Sequence, residues 1–117
     1  MSQPDRRHGD RTAVDLFVEE RRGDRTWLHP ATDLSPEGLY VLVSDDRIAI
    51  DPSRAFAIEF TLPTGALVQA SVCIAYTDDR DGQRGVGLQF VDLDPDTRAT
   101  IAAYVSASAH ARTRRLA

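Results

Sequence analysis

The chain has 117 residues and a mass of 12.9 kDa, which is one domain's length and enough to bury a core without a metal or disulfide staple. Its formal net charge is -4, the wrong sign for non-specific nucleic-acid binding. The longest unbroken apolar runs, Leu39–Val43 and Ile101–Val105, have five residues each, far short of the roughly 20 that cross a bilayer.

Residues 1–11 are polar, with no apolar stretch of the kind a secretory signal carries. They read as an arm that is disordered alone, and the location expected is cytoplasmic, with no membrane partner. Val14, Leu16 and Val18 alternate with Asp15 and Glu19, which predicts a first strand from Thr12 to Glu20. Arg21-Arg22-Gly23-Asp24 is a turn signal. A second strand follows from Arg25 to Thr32, and Pro30 within it requires an edge position or a bulge. Asp33-Leu34-Ser35-Pro36-Glu37-Gly38 has loop composition, Leu39 to Ser44 reads as a third strand, and Asp45 to Arg54 as a polar loop.

Phe56, Ile58, Phe60 and Leu62 then share one face of a fourth strand. After the turn Pro63-Thr64-Gly65, the residues Ala66, Val68, Ala70, Val72, Ile74 and Tyr76 share one face of a fifth. Asp78 to Gln83, with Asp81-Gly82, is a hairpin loop leading into a sixth strand around Val86, Leu88 and Phe90. The period changes after residue 93. Asp94 is placed to cap a helix, Pro95 suits its first position, and Ile101, Tyr104 and Val105 form one stripe. The helix is expected to end near Ala109, leaving 110–117 as a disordered tail. Antiparallel strands with one late helix avoid exposed sheet edges as a six-stranded β-barrel, with the helix over one end. A two-layer sandwich is the alternative. The domain is thus expected over residues 12–109.

No catalytic constellation is present. His8, His29 and His110 fall on different elements without ligand spacing, and each reads as a surface or turn residue. The single cysteine, Cys73, lies on a strand as a small buried or half-buried residue, and multi-Cys zinc sites are excluded. Asp78-Asp79-Arg80-Asp81-Gly82 lacks the spacing and closing glutamate of a calcium loop. No metal and no enzymatic activity are expected.

All fourteen basic residues are arginine, so every cationic contact is a planar guanidinium fork. Arg6, Arg7 and Arg11 cluster ahead of the first strand, and Arg112, Arg114 and Arg115 lie in the last six residues. Arginine forks hold the O6/N7 edge of guanine and bind phosphate. A carboxylate such as Asp33 accepts from guanine's N–H edge, Ser35 offers a hydroxyl, and Gly38 allows close approach or positive φ. Taken singly, the arginines also read as solvated charge and Asp33-x-Ser35-x-x-Gly38 as a turn.

Together these residues carry a resemblance. The chain resembles the PilZ domain family, the bacterial receptor modules for cyclic di-GMP, whose pattern is Arg-x-x-x-Arg before the first strand and Asp/Asn-x-Ser-x-x-Gly between the second and third. Here the pattern is met by Arg7 and Arg11 and by Asp33, Ser35 and Gly38, and Gly85-Val86-Gly87-Leu88-Gln89-Phe90 is similar to the family's glycine-rich last strand. The resemblance spans residues 5 to 108 and implies a six-stranded antiparallel barrel with a C-terminal helix. It implies cyclic di-GMP as ligand, with Arg7 and Arg11 clamping guanine edges and phosphates and Asp33 on a guanine donor edge. Ser35 would touch base or phosphate, and Gly38 would allow the approach. An arginine at the Arg6 position goes with an intercalated ligand pair. Such a receptor would order its arginine arm on binding and signal to a downstream protein. The competing reading is a PilZ-like scaffold that binds no nucleotide; a third, nucleic-acid binding by a small barrel, is opposed by the net charge.

Overall fold

In the computed structural model, residues 11–43 and 54–116 are described. Six strands, β1 (Thr12–Arg22), β2 (Arg25–Ser35), β3 (Gly38–Val43), β4 (Phe56–Thr61), β5 (Leu67–Arg80) and β6 (Gln83–Val91), precede one helix, α1 (Pro95–Leu116). The strands close in the order β1-β2-β3-β6-β5-β4, every pair antiparallel. This is the expected barrel and excludes the sandwich. Closure through β1 and β4 leaves no free sheet edge. Most of the expected loop at Asp45 to Arg54 lies outside the described residues.

The inward rows follow the period-two pattern. Val18, Val41, Val43, Ile58, Phe60, Val68, Val72 and Val86 are buried together. Leu62, just past β4, joins them, and Ile101 and Val105 of α1 complete the core from one end. Pro30 lies in the half of β2 that pairs with β1 alone, because the β2–β3 register begins at Ala31. A missing N–H there removes no ladder bond on the β3 side.

Asp94 caps α1 as expected. Its Oδ2 accepts from the backbone N–H of Asp96 at 3.1 Å and of Thr97 at 3.2 Å. The helix continues past the expected boundary at Ala109 to Leu116. Alanine and arginine are strong helix formers, and no glycine or proline intervenes to stop it.

One expectation is corrected. His29 is neither a surface nor a turn residue. It sits opposite Val18 on an inward row and is buried. Its Nε2 lies 2.8 Å from Oε1 of Glu20, which is also buried. Oε2 of the same carboxylate is 2.8 Å from Arg22 Nε, an ion pair by distance but not a hydrogen bond by angle. The Arg22 guanidinium stacks over Trp27 at 4.6 Å. The polar letters of Glu20 and His29 conceal an inward row, in which each gives the other a hydrogen-bond partner.

Candidate functional site

Asp33 reaches the outer face of the barrel through a break in register. Ala31 pairs with Val41, but Asp33 pairs with Tyr40, so β2 spends two residues where β3 spends one. Strict alternation would have left Ala31 and Asp33 on the same, inward face; the bulge turns Asp33 outward and sends Leu34 into the core. A second bulge on β5, between Ile74 and Tyr76, does the same for Tyr76. The inward row expected to include Tyr76 therefore ends at Ile74, and Tyr76 is 45% exposed.

Opposed residues in a sheet share a face, and two cross-strand rows result. One runs Asp33–Tyr40–Gly87–Tyr76 across β2, β3, β6 and β5. The next runs Ser35–Gly38–Gln89–Cys73. Arg11, Asp33, Ser35, Glu37, Gly38, Tyr76, Gly87 and Gln89 line a cleft of about 190 Å³ on this face. Four of the six residues singled out from sequence, Arg11, Asp33, Ser35 and Gly38, are thus brought together. Arg6 and Arg7 lie outside the described residues.

Each member has a distinct local role. Ser35 Oγ accepts from the backbone N–H of Glu37 and Gly38, both at 3.2 Å, and donates to the Gly38 carbonyl at 3.3 Å. It therefore shapes the turn from β2 into β3. Gly38 is absent from the positive-φ residues. Its constraint is proximity to β6, since a Cβ there would lie 1.9 Å from the Leu88 carbonyl oxygen. Asp33 is half-buried, and among the described residues its carboxylate has no hydrogen-bond or ion-pair partner. It is a preplaced acceptor.

The sequence reading missed the tyrosine floor. A Cβ on Gly87 would strike the Tyr76 ring, and one on Gly85 would strike Tyr40. The two rings stack with centroids 6.2 Å apart and planes 28° apart. The Tyr40 hydroxyl donates to Asp78 Oδ1. The available signal was the alternation of glycine in β6, which leaves space that neighbouring aromatics fill. Also missed was the tie between the turn and α1. Arg98 donates from Nη1 to the Pro36 carbonyl at 3.1 Å and from Nη2 to Glu37 Oε2 at 2.8 Å. The Glu37 charge, within the cleft lining, is thereby balanced.

No helix among the described residues is long and apolar enough to cross a membrane, and these residues hold no cluster of potential metal ligands.

The sequence pattern of the PilZ domain matches residues 5–107, nearly the whole chain. The chain belongs to the PilZ domain family. Solved structures agree at the level of fold. The PilZ domain of Escherichia coli YcgR, solved with c-di-GMP, superimposes with a TM-score of 0.73 at 16% identity, covering 91% of this chain and 93% of that one. The Bacillus subtilis inhibitor of motility MotI/DgrA gives 0.74 at 13% identity over 82% of this chain. Borreliella burgdorferi PlzA, solved in complex with c-di-GMP, gives 0.57 at 14% identity over 98%. The chain spans about half the length of MotI and of PlzA, 47% and 50%. Among curated proteins, none matches the sequence.

Proposed function

We propose that this PilZ domain is a receptor for cyclic di-GMP, without catalytic activity of its own, that acts in the cytoplasm. The observation that carries the reading is the convergence of Arg11, Asp33, Ser35 and Gly38 on one outer cleft, with the Asp33 carboxylate left open to a ligand. PilZ neighbours of the same fold were solved with that dinucleotide.

The chemistry of the cleft suits a guanine dinucleotide. Asp33 accepts from the N1–H and N2–H₂ edge of a guanine. Arg11, at the entrance to β1, supplies a fork for the opposite edge or for a phosphate. Tyr76, half-exposed on the same row as Asp33, offers an apolar face against which a base can lie. Arg6 and Arg7 are assigned to the ligand on the strength of the family pattern, closing over it from the segment that precedes β1. Pairing Glu37 with Arg98 removes an unbalanced negative charge from the route of a dianionic ligand.

A bound dinucleotide and the ordered arginine segment would change the surface presented to a downstream protein, which is the output this reading requires. The test is isothermal titration calorimetry with cyclic di-GMP, with GTP and cyclic di-AMP as controls. Saturable, guanine-selective binding is expected, weakened at least about tenfold by Arg7→Ala or Asp33→Ala. No heat at high protein concentration, together with an unchanged melting temperature, would make the domain a scaffold that binds no nucleotide.

A further inference from the structure

The face of the barrel formed by β2, β1, β4 and β5 carries large apolar side chains that the core does not use. Phe17, Leu28 and Leu67 are 63%, 60% and 57% exposed. Phe17 pairs with Pro30, and Leu67 pairs with Thr61. The β1–β4 register, extended by two residues, sets Phe17 beside Thr61. The result is an outward row Pro30–Phe17–Thr61–Leu67 crossing four strands. The adjoining row is Leu28–Glu19–Glu59–Gln69. Between them lies a groove of about 480 Å³ whose lining includes Phe17, Leu28, Pro63, Asp15, Glu19 and Glu59.

An exposed apolar row of this size marks an interaction surface, and its rim selects the occupant. Asp15, Glu19 and Glu59 give the groove a negative border; among the described residues a single guanidinium, that of Arg21, meets Glu19 and Glu59, and Gln69 Nε2 also donates to Glu59 Oε1 at 3.0 Å. Two such faces placed against each other would oppose their carboxylates. The occupant must instead join apolar side chains to positive charge.

The chain contains a segment of that chemistry. Among the helix residues whose exposure is described, the buried ones are Ile101 and Val105, and the helix continues to Leu116, about 16 Å beyond Val105 at 1.5 Å per residue. This extension carries Arg112, Arg114, Arg115 and Leu116 in sequence, with no acidic residue after Asp96. We propose that the groove around Phe17 receives the arginine-rich end of α1 from a second copy of the chain. Exchange in both directions gives a closed two-fold dimer.

The experiment is sedimentation equilibrium of the full chain without nucleotide, from low micromolar to near-millimolar concentration. A reversible monomer–dimer equilibrium that weakens with salt is expected. Phe17→Ser should weaken it by at least about tenfold, because a buried phenylalanine face is lost. Its melting temperature at low micromolar concentration, where the chain is monomeric, should stay unchanged, since the Phe17 side chain is 63% exposed and contributes little to the core. Arg114→Glu with Arg115→Glu should also favour monomer, and adding Glu19→Arg to that variant should restore part of the dimer. A monomer at every concentration overturns the proposal. A dimer indifferent to Phe17→Ser and to the arginine reversals also overturns it. Either result leaves the nucleotide reading intact, since none of these residues lies in the Asp33 cleft.

Discussion

Replacing Gly38 by alanine tests how the turn between β2 and β3 is held. The added Cβ would sit 1.9 Å from the Leu88 carbonyl oxygen and about 3 Å from two further backbone atoms of β6. Ordinary contact begins near 3.4 Å, so the strands must separate by about 1.5 Å at that point. Neither partner is a flexible side chain that can swing away. The separation strains the Gly38–Gln89 and Leu39–Leu88 pairs and the bond from Phe90 N–H to the Glu37 carbonyl, 2.9 Å long. Losing two or three such bonds, at about 1 kcal/mol each, with some overpacking strain, gives a cost of about 2–4 kcal/mol. At about 2.1 cal/mol/K of unfolding entropy per residue, that lowers the melting temperature by about 8–16 °C for a chain of this length. Thermal unfolding followed by circular dichroism, without ligand, reads the effect. A Gly38→Ala protein melting within about 2 °C of the parent would refute the reasoning and return the glycine to a role in ligand approach alone.

Asp33→Ala should weaken cyclic di-GMP binding at least about tenfold in calorimetry, the loss of charge-assisted hydrogen bonds. It should leave the melting temperature unchanged, because the carboxylate has no partner among the described residues. Arg11→Ala should behave in the same way. Arg98→Ala should shift stability by less than about 1 kcal/mol, since both partners of its ion pair are about half exposed. It should nonetheless reduce ligand affinity several-fold at low salt by freeing the Glu37 charge, and the difference should vanish as salt is raised. His29→Leu should destabilise the barrel by about 1–3 kcal/mol by leaving Glu20 Oε1 buried without its hydrogen-bond partner while Arg22 stays beside Oε2, as read in a denaturant titration.

Barrel and site were legible in the sequence to different depths. The six strands follow from runs such as Phe56, Ile58, Phe60 and Leu62, where one face is apolar and the pattern carries across the whole element. Asp33, Ser35 and Gly38 were recognisable because loop chemistry and family pattern coincide there. Tyr76 departs from its expected inward face because a bulge changes parity, and no letter in Ile74-Ala75-Tyr76 announces one. His29 is expected at the surface from its residue type, whereas its contact with Glu20 across β1 and β2 makes both compatible with the core. The tie made by Arg98 has no sequence signal for another reason: its partners Pro36 and Glu37 lie about sixty residues earlier, and no local pattern links a helix surface to a distant turn. The helix runs past its expected end because no glycine or proline follows Ala109 to stop it, although the apolar stripe fades there.

The bulge at Ala31 and Asp33 has a consequence for how this domain can change over generations. Core and cleft are separated along β2 by a single step, with Leu34 on one side of the sheet and Asp33 on the other. Gaining or losing one residue there would exchange them, placing a carboxylate among the valines and a leucine where a base is to be held. Point replacements on either face can accumulate separately, whereas a one-residue length change in β2 harms both together. A one-residue length change is therefore expected to be tolerated in turns such as Gly23-Asp24 and Asp81-Gly82 and not in the strand carrying the site.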